Sequence, residues 1–283
     1  MLTSAFVLTA VLFSGAGLTQ IPSPTPAPAA PALNNEIAPD AKLVVEQYLT
    51  ATGGRNGWSS LKTIQGNGTL SIPAASITGT AQFVISSDLY RNTFTMSGGS
   101  VQGASIITGR NGDVVWQMTG EGDRYNGKLL EGVTRLRNLR QYQFNQLLDL
   151  EKNFLRVEIV DVEEIDGSPA IKILMVPREA PDSKEYRFFD QSSHFIVRTI
   201  IEQPGGNVQE ARYSGYKKVG PVRMHTETKR MASGQVLMLV ATPNIVANKP
   251  LPEKYNELPL EIRVLLGEET VAPPGAEKPK NEE

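Results

Sequence analysis

The sequence predicts a mainly β (α+β) protein built on one large, curved antiparallel sheet. About twelve runs of β-branched and aromatic residues follow one another, and turn sequences such as Asn111-Gly112-Asp113 and Asp166-Gly167 separate them. Such short connections make neighbouring strands antiparallel, and the regular strand and helix alternation of a parallel sheet is missing. Because a sheet of about ten strands or more seldom stays flat, we expect a barrel or half-barrel with the few helices covering its concave face.

Both ends of the chain have the composition of segments outside a folded domain. Residues 1–16 contain an apolar run at 5–13 and end in small residues, the pattern of a signal peptide. Residues 17–38 form a Pro/Ala-rich linker, because each proline fixes φ and removes an amide donor. Residues 267–283 are rich in Glu, Pro and Lys and predict a disordered tail. We therefore expect one domain over residues 39–266 in an exported protein, periplasmic or secreted.

Composition excludes several classes of function. The formal net charge is -2, with 28 basic and 30 acidic residues, so no general field attracts nucleic acid. Cysteine is absent, which excludes disulfides, thiolate nucleophiles and a lipid anchor on an N-terminal cysteine. The apolar run of the leader is shorter than the roughly 20 residues of a membrane span. We expect a soluble monomer without cofactor, metal or integral span after leader removal.

The first half of the domain reads as one helix and five strands. Asp40 is a candidate N-cap for a helix over 41–51, with Val44 and Tyr48 on one face and Gly53-Gly54 as its end. The strands that follow are predicted over residues 62–72, 77–86, 89–96, 101–108 and 114–118.

The second half reads as one helix and seven strands. Residues 133–154 contain neither Gly nor Pro and repeat apolar residues at helical spacing, which predicts an amphipathic helix that a break can interrupt. Its basic residues, Arg135, Arg137, Arg140 and Lys152, read as a solvated face or as a surface for anionic groups. The strands are predicted over residues 155–165, 170–176, 185–189, 195–202, 208–219, 222–231 and 235–246.

The order of several stretches resembles one known family. These are LKTIQGNGTL after the first helix, then LYRNTF, GRNGDVVWQM, YRFFDQSSHFIVRTII and a closing NKPLPEKYNELP. The chain is similar in this order to the outer-membrane lipoprotein-sorting (LolA/LolB-like) superfamily. The resemblance implies an incomplete barrel of about eleven strands whose concave apolar face binds acyl chains under a helical lid. It also implies that Arg91 in LYRNTF hydrogen-bonds the lid region.

Apolar residues of the strands and of the mid-chain helix are the candidate ligand contacts. They are Leu70, Phe83, Ile85, Phe94, Met96, Ile107, Trp116, Leu139, Ile173, Met175 and Phe188. Residues of the same types fill a packed barrel, so the sequence leaves an open interior and a filled one as alternatives.

No set of residues with the spacing of a catalytic or metal site is found in the sequence. His194 and His225 are the only histidines, and neither stands in a metal-ligand or nucleophile motif, so both are interpreted as structural or surface residues. We expect a protein without catalytic activity.

Two functions remain as hypotheses. The first is a periplasmic carrier or chaperone in lipoprotein localisation or lipid transport, with a lipid or an acylated protein as its ligand. The second is an envelope protein-interaction or stress-sensor module on the same scaffold, without lipid transport.

Overall fold

The computed structural model describes residues 36–232 and 234–269. The predicted leader, almost all of the linker and most of the predicted tail lie outside these residues. The described helices are α1 (Pro39–Ala51), α2 (Gly54–Ser59), α3 (Gly132–Gln141), α4 (Leu150–Asn153) and α5 (Leu260–Leu265). Short 3-10 turns lie at Pro73–Ala75 and Glu253–Tyr255.

Strands make up most of the described chain. They are β1 (Glu36–Ile37), β2 (Thr63–Ile72), β3 (Ile77–Ser86), β4 (Leu89–Gly98), β5 (Val101–Asn111), β6 (Val114–Glu121), β7 (Arg124–Leu129), β8 (Phe154–Ile165), β9 (Ser168–Pro177), β10 (Lys184–Asp190), β11 (Ile196–Glu202), β12 (Val208–Ser214), β13 (Lys217–Val219), β14 (Val222–Met224), β15 (Glu227–Ala232) and β16 (Gln235–Ala247).

Fourteen of these strands form one sheet that does not close. Their order is β1-β8-β9-β10-β11-β12-β15-β16-β2-β3-β4-β5-β6-β7, and β13 and β14 form a separate hairpin. Every pair is antiparallel except the short β1, which runs parallel to β8. Because β7 lies at one edge and β8 almost at the other, the chain crosses the open side of the sheet between them. The predicted incomplete barrel is confirmed, with fourteen strands where the family resemblance implied about eleven.

The main core shows that the sheet curves. Ile64 of β2 and Val157 of β8 stand far apart in the strand order, yet both are fully buried in one cluster with Val45 and Leu49 of α1. Side chains from such distant strands can meet only if the sheet bends around them. We call this side the inner face and the opposite side the outer face. Burial of this cluster is the main favourable term that fixes α1 over the concavity.

Smaller clusters fill other parts of the sheet. At one end of the inner face, Leu70, Ile77, Met96 and Met238 are buried against one another. On the outer face, Ile262 of α5 is buried against Trp116 and Met118 of β6. Close approach is possible there because Gly109 has no side chain: a Cβ at this position would lie 2.1 Å from the Trp116 ring.

The start of the domain differs from the sequence prediction in two details. Asp40 is not the N-cap of α1: Pro39 begins the helix and Ala38 holds the cap position, since the fixed φ of proline suits a first helical residue. The Asp40 carboxylate accepts a hydrogen bond of 2.8 Å from the Ala41 amide instead. Gly53 ends α1 with φ at 122°, but the chain then forms α2 rather than passing directly into a strand.

The predicted mid-chain helix is two short helices, α3 and α4, with an irregular stretch between them. Asn153 explains the break, because its side-chain amide donates to the Gln146 carbonyl at 2.7 Å and to the Gln143 side chain at 3.2 Å. These bonds fix the backbone of residues 142–149 in a form that a continuous helix does not have.

Several elements have no counterpart in the sequence prediction. They are β1, β7, α2 and α5, and the two long strands predicted over 208–219 and 222–231 are each divided. The division has a physical cause: Val219 and Val222 of the β13–β14 hairpin are buried in the main core, and the Arg223 amide donates to the Thr52 carbonyl at 2.8 Å. The hairpin therefore leaves the sheet to pack beneath the end of α1.

Candidate functional site

The inner face contains a cavity of about 210 Å³ between the main core and the cluster around Met96. Strands β3, β4, β15 and β16 and the segment after β14 form its walls. The apolar lining residues are Ala81, Phe83, Phe94, Met224, Met238, Val240 and Ile245, and the polar ones are Tyr90, Asn92, His225, Thr228, Arg230 and Thr242. The walls thus combine apolar and polar side chains in nearly equal number, which suits a ligand with both an apolar and a polar part.

Strand geometry determines which side chains reach this cavity. Alternate residues of a strand face opposite sides, so Tyr90, Asn92 and Phe94 share the inner face of β4. Phe83 on β3 lies beside Gly66 of β2, where an added Cβ would stand 2.3 Å from the phenyl ring. The glycine therefore lets the Phe83 ring lie against the backbone of β2.

The chain between β7 and β8, residues 130–153, covers the open side of the concavity, and we call it the lid segment. At its middle, the Tyr142 ring stacks on Tyr90 with ring centroids 3.8 Å apart and planes 5° apart. Burial raises the pKa of the Tyr142 hydroxyl, and the nearby Thr108 side chain opposes this rise. Because Tyr90 lines the cavity, this stack places the lid segment directly beside the cavity wall.

A buried ion network two residues before Tyr142 also attaches the middle of the lid segment to the sheet. Arg140 of α3 pairs with Glu185 on β10 and, at 3.0 Å, with Glu179, and its side chain is only 4% exposed. Glu185 also meets Arg187 at 3.4 Å. Burial opposes the charged form of Glu185, yet the charges of Arg140 and Arg187 lower the pKa of that carboxyl. The four charges cancel, so the network is a neutral, dehydrated anchor.

This network corrects one interpretation of the sequence. Arg135 is accessible and reaches the Asp113 carbonyl at 2.8 Å, as a solvated face predicts. Arg140 instead points into the protein, with its guanidinium 5.0 Å from the centre of the Phe154 ring. Its acidic partners are distant in sequence, and therefore helical periodicity alone placed it on the polar face.

His225 lines the cavity and is enclosed by aromatic rings. Its ring centroid lies 4.6 Å from that of Tyr213 and 5.8 Å from that of Tyr216. Burial lowers the pKa of His225 to about 4, because the charged imidazolium is poorly solvated there. At neutral pH the ring is therefore uncharged and can offer one donor and one acceptor. His194 lies elsewhere, in the turn before β11 with φ at 60°.

The structure brings together only part of the predicted ligand contacts. Phe83 and Phe94 line the cavity, and Leu70 and Met96 are buried beside it in the cluster around Met96. Ile85 lies on the same inner face of β3, and Ile173 and Met175 belong to the main core. Leu139 is half-buried on α3. The remaining three, Ile107, Trp116 and Phe188, face the opposite side of the sheet.

The three outward residues are not carried into the proposed site. Ile107 and Trp116 pack under α5, and Phe188 packs against Ile165 and Ala170. Each stands next to another apolar residue in the sequence, as in Ile106-Ile107, so the alternation does not say which of the two faces inward.

Arg91 contacts the closing segment of the chain rather than the lid segment. It lies on the outer face of β4, donates to the Glu257 carbonyl at 3.2 Å, and stands 5.1 Å from the Trp116 ring and 5.0 Å from the Tyr255 ring. To hydrogen-bond the lid segment, as the family resemblance implies, Arg91 would have to lie on the inner face of the sheet. In this chain Arg91 holds the segment that leads to α5.

Sequence reasoning missed the polar part of the site. Asn92 was within reach of prediction, because it alternates with Phe94 on a strand whose bounds were expected. Met224 and His225 lie where the chain leaves β14, and no periodic signal marks that position. Arg230 carries a charge, and a charged residue on a strand is normally interpreted as facing water.

The described residues set two further limits on the site. Within residues 36–232 and 234–269, none of the helices is long and apolar enough to cross a membrane. The same part of the chain holds no group of three or more His, Asp or Glu side chains arranged to bind a metal ion.

Comparison with known proteins gives a match of fold. No protein-family model matches the sequence, and no curated protein matches it either. A domain described as an outer membrane lipoprotein-sorting protein domain, from Vibrio parahaemolyticus, superposes with a TM-score of 0.51 at 11% identity, over 76% of this chain and 96% of that one. A DUF1329 family protein from Desulfovibrio piger superposes with a TM-score of 0.51 at 9% identity, over 77% of this chain and 97% of that one. At such low identity these matches show the fold alone: the protein has the LolA-like fold that its sequence resembles.

Proposed function

We propose that this protein is a periplasmic carrier or chaperone that holds an acyl chain in the cavity of its inner face. The observation that carries the proposal is the cavity between two filled apolar clusters, beside a lid segment that crosses the open side of the sheet. A structure of the same fold that is described as an outer membrane lipoprotein-sorting protein domain supports the proposal. The periplasmic location rests on the leader-like residues 1–16.

The size of the cavity favours one chain over several. About 210 Å³ is below the roughly 300–1,000 Å³ of sites for drug-sized molecules. A single slender chain suits this volume, whereas a lipid with two or three chains would require the lid segment to move. Burial contributes about 0.8 kcal/mol per methylene, so a few buried methylenes give useful affinity without any catalytic group.

The experiment compares lipid content in two matched variants. Val240→Phe enlarges a side chain that lines the cavity, and Leu239→Phe makes the same kind of change on the adjacent, outward-facing residue. Native mass spectrometry of protein purified from its own host should find an acyl ligand on the wild type and on Leu239→Phe. Val240→Phe should lose it while keeping its fold.

Two outcomes would reject the carrier. Wild-type protein without any co-purifying lipid, and without affinity for an uncharged acyl probe, would remove its basis. If such protein instead cross-linked one envelope protein reproducibly, the alternative of an interaction or sensor module would be preferred. Retention of lipid by Val240→Phe would show that the ligand lies outside this cavity.

A further inference from the structure

The six strands around the cavity place a single charged side chain on their inner faces. Strand registers assign the inward residues of β12, β15, β16, β2, β3 and β4. Apart from one, the described inward residues are apolar, glycine, or uncharged polar groups such as Asn92 and Thr228. The exception is Arg230 on β15, which lines the cavity and remains exposed to solvent. An exposed residue that also lines a cavity stands at its mouth.

Arg230 has no acidic partner among the described residues. Its cross-strand neighbours are Ala211 and Met238, and neither can neutralise it. Glu227 on the same strand faces the other side, where its carboxylate accepts a hydrogen bond of 2.8 Å from Ser214. The outer face of β12 contrasts with this, because Arg212 there pairs with Glu210 at 3.2 Å.

The surroundings of Arg230 suit an anionic group. Asn92, His225 and Thr228 line the same cavity and offer hydrogen-bond donors without adding negative charge. The positive charge of Arg230 also acts on the Tyr90 hydroxyl, where it opposes the rise in the pKa of Tyr90 caused by burial. Tyr90 and Arg230 belong to β4 and β15, so the charge is felt across the mouth of the cavity.

We propose that the ligand is a single-chain amphiphile with an anionic head, whose carboxylate or phosphate binds Arg230 while its chain lies along the apolar side chains of the cavity. A guanidinium presents paired donors that fit the oxygen atoms of both head types. This inference rests on the proposed function and narrows it. A chain joined to a protein through an uncharged amide offers Arg230 no anion, so a free fatty acid or a single-chain phosphate ester is the favoured class.

The test measures displacement of the uncharged probe N-phenyl-1-naphthylamine from delipidated protein. The competitors share one chain length: dodecanoate, dodecyl phosphate, dodecanol and the uncharged amide N-dodecanoylglycinamide. The variant is Arg230→Gln. Lys229→Gln is the matched control, because it removes one positive charge from the adjacent, outward-facing residue.

We expect at least one anion to bind the wild type about fivefold more tightly than dodecanol, a modest factor because water screens an exposed arginine. Arg230→Gln should lose this preference and keep its affinity for dodecanol within about twofold, and Lys229→Gln should behave as wild type. Comparison of the two anions identifies the head group. Two results would overturn the inference without contradicting the proposed function: equal affinity of all four competitors for the wild type, or a preference for the anions that persists in Arg230→Gln. If no competitor binds, the proposed function fails and the inference fails with it.

Discussion

Arg140→Met removes the central cation of the buried network and tests whether this network anchors the lid segment. The side chains of Arg140 and Glu185 are 4% and 5% exposed, and Glu179 is 8% exposed. Methionine fills a similar volume without charge, so packing against Phe154 is largely retained. The variant leaves Glu179 and Glu185 with only Arg187 as a nearby cation, so one buried negative charge is uncompensated.

The expected cost follows from that charge. Breaking a buried ion pair by removing one partner costs about 3–5 kcal/mol. For a domain of this size, a change of 1 kcal/mol moves the melting temperature by about 2–4 °C, so Arg140→Met should lower it by roughly 6–20 °C. Arg135→Met is the matched control on the same helix: Asp113, its partner, is 86% exposed, and the loss should stay below about 1 kcal/mol.

Urea denaturation measures the free energy of unfolding, and hydrogen exchange of residues 132–153 shows whether the lid segment opens first. The double variant Arg140→Met with Glu185→Leu leaves one negative charge, on Glu179, and one positive charge, on Arg187, and so restores neutrality. It should recover at least half of the lost stability, because a buried pair replaced by apolar residues is often neutral. An effect of Arg140→Met no larger than that of Arg135→Met would refute the anchoring role.

Three further predictions concern single side chains. Burial lowers the pKa of His225 from 6.5 to about 4, so below pH 6.5 the unfolded chain takes up a proton that the folded chain does not. The free energy of unfolding should therefore keep its full value above pH 6.5 and fall by roughly 2 kcal/mol by about pH 5. Urea titrations should show this slope in wild type and His194→Asn but not in His225→Gln. Arg91→Ala should cost about 1–3 kcal/mol and change Trp116 fluorescence, since it frees the segment before α5; an unchanged spectrum would contradict this. Gly109→Ala should lower the free energy of unfolding in urea by about 1–3 kcal/mol, because its methyl group would overlap the Trp116 ring.

The strands of the first half could be predicted because local signals there agree with the final structure. The run over 77–86 has the bounds of β3, and strong turns stand on both sides of it. β7 could not be found in this way. Its sequence, RYNGKL, alternates Tyr125 and Leu129 with polar residues, but Gly127 between them leaves only two apolar side chains on that face. Two apolar residues are too weak a signal to predict an edge strand. α5 is too short for helical periodicity and depends on the burial of Ile262 on the outer face.

The division of side chains between the two faces was the harder problem. A sheet with one covered face shows a clear alternation of apolar and polar residues. Here part of the outer face is covered as well, by the segment from Asn248 to α5, and another part buries its own side chains in the cluster around Phe188. Pairs such as Phe188-Phe189 then have both members buried, and only the strand register decides which one faces the cavity.

Two attachments of the lid segment, the Arg140 network and the Tyr142 stack, differ in strength, and this difference bears on how a ligand would enter. The Arg140 network joins the lid segment to β10 through buried charges, whose separation would cost several kcal/mol. The stack of Tyr142 on Tyr90 joins it to β4, and an aromatic pair contributes only about 0.5–1.5 kcal/mol beyond burial. Tyr90 is also a wall of the cavity, and Arg230 stands at the mouth on the opposite wall. The lid segment should therefore part from β4 before it parts from β10, and that movement would open the cavity on the Tyr90 side, across from Arg230.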